Sequence, residues 1–306
     1  MRLESRMSRR FQVFQVDAFT RQRFTGNPAG VVLAADNLTD EEMLAIAREL
    51  NNADTAFVLA PDGADHDLRV RFFTPRTEAA FVGHATIAAQ YVLSRRAVTK
   101  QHLRQKQRAG IVDIAVRGTG DARRIAIRQP APPIARELSD RERLAVIDAL
   151  GLSTGDLDAH CPLQIGGNAS TRLIVGVRGP EQLRLMKPDF GRLTTLSAQL
   201  GAAGFFVFAR GQGEHGIRTE SRMFCPALGI PEDPVSGNAH GILGAYLARH
   251  GFLKNDAGLA RFNGAQGHFM HRPGAVDVEL EFTGDTLAGV WIVGDAVLVF
   301  ETTIEL

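Results

Sequence analysis

Arg71-Phe72-Phe73-Thr74-Pro75, followed eight residues on by Gly83-His84-Ala85, recurs in the second half of the chain as Arg222-Met223-Phe224-Cys225-Pro226, followed eleven residues on by Gly237-Asn238-Ala239. Each copy reads as a strand that ends in a proline turn and leads to a helix opening on a glycine. Working outward, Met43, Ile46 and Leu50 match Leu193, Leu196 and Leu200 at an offset of 150, and Phe57-Val58-Leu59 matches Phe206-Val207-Phe208 one position out of step. Four matches in one order and at nearly constant offset indicate a duplicated unit. Its period is too long for a solenoid of short repeats.

The helix in each copy is unusual. Ala85 to Leu93 is small or apolar on nearly every face, which a surface helix cannot be. Ala239 to Ala248 is alike, with Gly241, Gly244, Ala245 and Ala248 allowing other backbone to pack closely and Gly251 supplying a left-handed cap. Upstream, Thr39-Asp40-Glu41-Glu42 has the form of a capping box ahead of Met43, Ile46, Ala47 and Leu50. The fold class expected is therefore α+β: two similar domains, each a strongly curved, mostly antiparallel sheet wrapped around a central helix. The boundary is placed near Gln129-Pro130-Ala131-Pro132-Pro133, giving domains at 1–129 and 130–289. The strand-like segment Val290 to Phe300 is expected to return, with the rest of 290–306, to the first domain.

A length of 306 residues accommodates two such domains at roughly 150 residues each. With 44 % hydrophobic and 23 % charged residues the chain is globular in composition, so disorder is excluded. Thirty-five basic and 34 acidic side chains leave a formal charge of +1, without the basic excess of a nucleic-acid-binding surface. Two cysteines, Cys161 and Cys225, are too few for a disulfide scaffold or a four-cysteine metal site, and a reducing cytoplasm is expected. No window approaches the ~18 apolar residues of a membrane helix. Ser8-Arg9-Arg10 faintly resembles a twin-arginine export signal, but Gln12, Gln15 and Asp17 interrupt any apolar stretch after it, and a short exposed tail is the reading adopted. No phosphate loop or dinucleotide fingerprint is present, and His268 and His271 have no cysteine or carboxylate nearby in sequence to complete a metal site. Neither a metal nor a cofactor is expected.

Chemistry is expected at the helix starts. A helix start leaves amides without intrahelical partners and carries partial positive charge, so Gly83-His84 and Ser236-Gly237-Asn238 suit an anion such as a carboxylate, with glycine admitting it close to the backbone. Ser236, Asn238 and His84 can equally be plain caps. Asp54 lies where a helix end meets a strand, in Asn51-Asn52-Ala53-Asp54-Thr55-Ala56-Phe57, whereas the matching junction Gly201-Ala202-Ala203-Gly204-Phe205 has no ionisable side chain. That asymmetry favours one base moving a proton along one face of a substrate over two opposed bases inverting a stereocentre. Asp233, in Pro231-Glu232-Asp233-Pro234, stands just before the second helix start, where a carboxylate can orient a histidine or accept from a substrate amine. Neither cysteine sits at a glycine-rich helix start, so a two-thiol racemase is not indicated.

Val16-Asp17-Ala18-Phe19-Thr20, Gly26-Asn27-Pro28-Ala29-Gly30, Asp54-Thr55-Ala56-Phe57, Phe73-Thr74-Pro75, Gly83-His84-Ala85-Thr86 and Glu232-Asp233-Pro234-Val235-Ser236-Gly237-Asn238-Ala239 together resemble the PhzF-like phenazine-biosynthesis isomerase family over nearly the whole chain. The resemblance implies a diaminopimelate-epimerase-like fold of two domains, an active cleft between them, no cofactor or metal, and a homodimer. It also implies a proton shift within a small carboxylate-bearing, cyclic amino acid-like substrate. By that likeness Asp54 is the catalytic acid/base carboxylate, with His84 and Asp233 as its polar partners. Gly83, Ser236, Gly237, Asn238 and Asn27 are then substrate-binding positions. Two departures stand out: the family carboxylate is commonly glutamate, one methylene longer than Asp54, and Asn238 replaces the serine of the phenazine enzyme. A displacement of about 1 Å can cost ~10²-fold in rate. The shorter side chain keeps a carboxylate-binding protein with impaired catalysis in play, and a second alternative is an amino or imino acid racemase or epimerase, which would require a second base.

Overall fold

The computed structural model describes residues 8–96, 100–168, 170–213 and 216–306. The first seven residues of the expected tail lie outside the described residues. The chain forms two compact units: one takes the chain up to Phe24, Pro28–Ile125 and Asp295–Leu306, the other Thr25–Asn27 and Ala126–Gly294.

In the first unit the strands are β1 (Arg10–Ala18), β2 (Asn27–Val32, of which Asn27 belongs to the second unit), β3 (Asp54–Leu59), β4 (Leu68–Phe73), β5 (Glu78–Ala79), β6 (His102–Gln107) and β7 (Gly110–Arg117), joined by the C-terminal strand Ala296–Glu305. β1 pairs antiparallel with that last strand, from Arg10 opposite Glu305 to Ala18 opposite Ala296. β2 runs parallel to β3, β3 antiparallel to β4, and β4 joins β5 antiparallel and β6 parallel. Helix α1 (Asp40–Leu50) starts in the expected capping box: the Glu42 amide donates to Thr39 Oγ1 at 3.2 Å and the Thr39 amide to Glu42 Oε2 at 2.9 Å. It ends on Asn51 in the left-handed region, φ 50°. Its apolar face packs with Phe11, Val32, Phe57 and Phe73 in one core.

Helix α2 (Gly83–Arg96) is the central helix of this unit and packs against β1, β3 and the C-terminal strand. Nine of its residues are buried, including the polar Thr86, Gln90 and Ser94. Inside a fold such groups require partners. Thr86 Oγ1 donates to the Val82 carbonyl at 2.8 Å, Gln90 Nε2 to Gln105 Oε1 at 2.7 Å, and Ser94 Oγ to the Tyr91 carbonyl at 2.8 Å.

The second unit holds β8 (Arg124–Pro130, of which Arg124 and Ile125 belong to the first unit), β9 (Ile134–Glu137), β10 (Gln164–Gly166), β11 (Arg172–Val177), β12 (Phe205–Gly213), β13 (Gly216–Cys225), β14 (Ile230–Asp233), β15 (Leu259–Gln266), β16 (Gly274–Thr283) and β17 (Thr286–Gly294). Its helices are α3 (Asp140–Ala149), α4 (Pro180–Leu185), α5 (Phe190–Leu200) and α6 (Gly237–Arg249). The pairing repeats that of the first unit: β11 parallel to β12, β12 antiparallel to β13, then β14 antiparallel and β15 parallel to β13. α6 is wrapped by β9, β10, β11, β16 and β17. A Cβ on Gly244 would stand 3.1 Å from Val278 and 3.2 Å from Phe262, so its glycine lets the sheet close on the helix.

The Arg-x-Phe-x-Pro repeat now has a physical reason. Arg71 donates from Nε and Nη2 to both oxygens of Glu78 at 2.8 and 3.0 Å, and Arg222 does the same to Glu232 at 2.9 and 2.8 Å. Each guanidinium lies over the next aromatic ring, 5.1 Å from Phe73 and 5.0 Å from Phe224. Such bidentate, stacked pairs fix geometry as well as charge.

Two expectations are corrected. The segment Val290 to Phe300, read as one strand, is the end of β17 and the start of the C-terminal strand, divided at Asp295. The match of Phe57 with Phe206 is also displaced. Thr55 pairs with Phe73 and Phe205 with Phe224, so Thr55 is the counterpart of Phe205 and Phe57 that of Val207. A one-residue slip would turn every side chain to the opposite face of the sheet.

His240, one turn into α6, is fully buried, donates from Nδ1 to the Ser236 carbonyl at 2.8 Å, and meets Phe206 edge-on at 5.0 Å. It sits over Gly264, where a Cβ would come within 2.1 Å of the His240 ring. Gly264→Ala is therefore expected to destabilise the protein by about 1–3 kcal/mol in urea unfolding, the usual cost of overpacking a core. Burial pushes His240 down to about 4 from 6.5, although its bond to Ser236 opposes this. Between these values the unfolded chain binds the proton more readily, so the contribution of neutral His240 is complete above pH 6.5 and is lost as pH falls toward 4. The difference in urea midpoint between wild type and His240→Gln is expected to narrow over that window.

Candidate active site

In the first unit Asp54 is the first residue of β3, placed by its parallel register opposite Ala29. His84 is the second residue of α2. Their side chains are 12 % and 11 % exposed, and His84 Nε2 stands 3.7 Å from Asp54 Oδ2. That separation exceeds a hydrogen bond, and His84 Nε2 is buried with no hydrogen-bond partner among the described residues. Burial pushes His84 down to about 4, so the imidazole is neutral at neutral pH and can donate from one nitrogen and accept at the other. Gly83 is not explained by crowding: a Cβ there would meet only Phe81 Cζ, at 3.9 Å. The backbone at this helix start is open to a ligand.

In the second unit Asn27, Asp233, Ser236, Gly237 and Asn238 gather at the start of α6. Asn27 Nδ2 donates to Asp233 Oδ1 at 2.8 Å and to the Val235 carbonyl at 2.9 Å. Burial pushes Asp233 up to about 6, against the opposing pull of Arg172 and of the bond from Asn27. Ser236 is the helix cap, its Oγ accepting from the Ala239 amide at 3.3 Å. Gly237 opens the helix, and Asn238 Nδ2 donates to the Ser170 carbonyl at 3.1 Å.

Two residues of this cluster were not singled out in the sequence. Gln266, fully buried in β15, accepts from the Ser236 amide at 3.0 Å and donates to the Asp233 carbonyl at 2.5 Å, which pins the loop that opens α6. Arg172, at the start of β11, is 7 % exposed and close enough to act electrostatically on Asp233 and Cys225. Nothing local in the sequence marks Gln266, which lies 30 residues from the amide it serves. The one signal for Arg172 is a cation opening an otherwise apolar run, Leu173 to Val177.

The registers show that these charges sit where the two units differ. Ala29 faces Asp54 in the first unit, and in the second the Leu173 amide donates to the Gly204 carbonyl at 2.8 Å beside the pair Leu173 and Phe205. The counterpart of Asp54 is thus Gly204, and that of Ala29 is Arg172. Ala79 faces Phe72 as Asp233 faces Met223, so Asp233 replaces an alanine. No side chain fits at Gly204, because a Cβ would lie 2.6 Å from Cys225 Sγ and 2.7 Å from Met223 Cε. Burial pushes both thiols up to about 12, far from a thiolate base at neutral pH. Among the described residues no group of three or more His, Cys, Asp or Glu could hold a metal ion, and no helix is long and apolar enough to cross a membrane.

The family model described as phenazine biosynthesis-like protein matches residues 16–302. The uncharacterized isomerase YddE of Escherichia coli is 38 % identical over 96 % of this chain and 99 % of its own length. Trans-2,3-dihydro-3-hydroxyanthranilate isomerase of Pseudomonas chlororaphis is 31 % identical over 95 % of this chain and 98 % of its own. The crystal structure of a Bacillus anthracis phenazine biosynthesis protein of the PhzF family superposes with a TM-score of 0.85 at 31 % identity, covering 97 % and 99 % of the two chains. A hydroxyproline epimerase from Agrobacterium vitis shares the fold alone, with a TM-score of 0.59 at 13 % identity over 100 % of this chain and 94 % of that one. The chain therefore belongs to the PhzC-PhzF, phenazine biosynthesis-like family and is an isomerase.

Proposed function

We propose that this isomerase moves a proton between two carbons of a small, cyclic amino acid-like carboxylate, without a cofactor, and that Asp54 is its single acid/base. The observation that carries the reading is the buried pair of Asp54 and neutral His84, 3.7 Å apart at an open helix start. The Asp54 carboxylate takes a proton from carbon, the electron pair spreads into the substrate's conjugated system, and the protonated Asp54 returns the proton at another carbon on the same face. No atom or electron is gained or lost. His84 donates a hydrogen bond to the substrate as charge develops, and Asp233, held by Asn27, acts as a second polar partner. In each unit the backbone at the helix start, Gly83 in the first and Gly237 and Asn238 in the second, suits a carboxylate, because amides at a helix start have no intrahelical acceptor. The named reaction of the Pseudomonas chlororaphis relative, on a dihydro-hydroxyanthranilate, supports this substrate class.

A racemase would need a second base. The position matching Asp54 is a glycine with no room for a side chain, and both thiols are held protonated by burial. Single-base transfer is the better supported reading.

In deuterated water the wild-type protein is expected to place deuterium on carbon in trans-2,3-dihydro-3-hydroxyanthranilate or in another member of a panel of cyclic unsaturated amino acids, without inverting a stereocentre. Asp54→Asn should slow this by ~10²–10⁴-fold, the usual contribution of a positioned acid/base. Equal deuterium entry in the two proteins removes Asp54 as the base.

A further inference from the structure

Arg172 is the one arginine among the described residues that is more than nine-tenths buried. The half-buried arginines of this fold spend their charge on carboxylates: Arg71 on Glu78, Arg222 on Glu232 and Arg210 on Asp158. Arg172 does not. Among the described residues it makes no ion pair within 4.0 Å and its buried Nε has no partner, while its Nη1 donates to the Thr171 carbonyl at 2.8 Å. Burying a cation without a hydrogen-bonded carboxylate is expensive, although Asp233 lies within its electrostatic reach.

The cation acts on Asp233 and Cys225, at the two ends of the β13–β14 pairing that leads into α6. Two residues before it, the Ser170 carbonyl accepts from Asn238 in the first turn of α6. The strand end that carries Arg172 is therefore tied to the first turn of a 13-residue helix, whose N-terminus favours anions.

We propose that Arg172 is a substrate-binding residue that, with the start of α6, holds an anionic carboxylate and so confines this isomerase to acids over their uncharged amides. The proposal rests on the reading above and extends it, since that reading relied on backbone amides alone. Arg172 stands in the second unit where the first has Ala29, so the preference for charge is built into one copy of the repeat.

The test is calorimetric titration of the full-length protein with anthranilate and with 2-aminobenzamide, which has the same ring and amine but no charge. Wild type should bind the acid more tightly than the amide. Arg172→Gln should weaken anthranilate by about ten- to a hundredfold, the worth of one or two charge-assisted hydrogen bonds, and leave the amide unchanged. Arg172→Lys should recover part of the loss. Should Arg172→Gln fold poorly by thermal melting, the Nε–H resonance of Arg172 in ¹⁵N-arginine-labelled wild type should shift on anthranilate saturation. An unshifted resonance, equal loss of both probes, unchanged anthranilate binding in Arg172→Gln, or no preference for the acid in wild type overturns the proposal. Anthranilate binding and deuterium entry are separate readouts. Loss of the Arg172 effect therefore leaves the Asp54 reading standing, and unchanged deuterium entry in Asp54→Asn leaves the Arg172 site standing.

Discussion

Burial of α2 and α6 on all sides is the constraint from which the rest follows. A helix with no solvent face needs internal partners for its polar side chains, and these helices carry few such side chains. Thr86 bonds back to the Val82 carbonyl, and His240, at the corresponding turn of α6, bonds back to Ser236. Gln90 reaches across to Gln105, and most of the other buried positions are Ala, Gly, Ile, Leu and Val. Along such a helix there is nowhere for a ligand to approach. The opening turn is different, because its amides have no acceptor within the helix. An interior helix thus confines polar chemistry to one end.

Duplication supplies two such ends, and the chemistry comes from breaking the likeness between them. The structural half of the motif is kept in both copies, as the paired Arg71–Glu78 and Arg222–Glu232 clamps show. The ionisable groups are not kept. Asp54 has a glycine as counterpart, Asp233 an alanine, and Arg172 another alanine, so one unit carries a carboxylate at its helix–strand junction and the other a carboxylate and a cation near α6. The crowding at Gly204 shows that the missing acid is a packing consequence as well as a choice of residue, since Met223 and Cys225 fill the space it would need.

Much of this was legible in the sequence because it is local. The capping box at Thr39, the interior character of both helices, and the Asp54 and His84 positions each depend on residues within a few places of one another. The register of β3 against β12 was not legible. Both strands are buried through their first five residues, so no alternation of polar and apolar side chains betrays which face each residue takes, and only the pairing with β4 and β13 settles it. Arg172 and Gln266 were missed for a related reason. Each serves the loop before α6 from a distant strand, and contacts of that kind leave no spacing to read.

The protonation state of His84 bears on why such a site is buried at all. A cation beside a carboxylate favours the ionised form and weakens it as a base. At 3.7 Å an imidazolium would do this to Asp54, yet burial pushes His84 down to about 4 and keeps the ring neutral across the neutral range. The same burial that costs His84 its charge therefore places a neutral ring, not a cation, beside the carboxylate. Asp233 shows the converse, pushed up to about 6 with its oxygen already engaged by Asn27. Burial thus leaves Asp54 beside a neutral imidazole, whereas Asp233 is drawn toward neutrality and held in place by an amide.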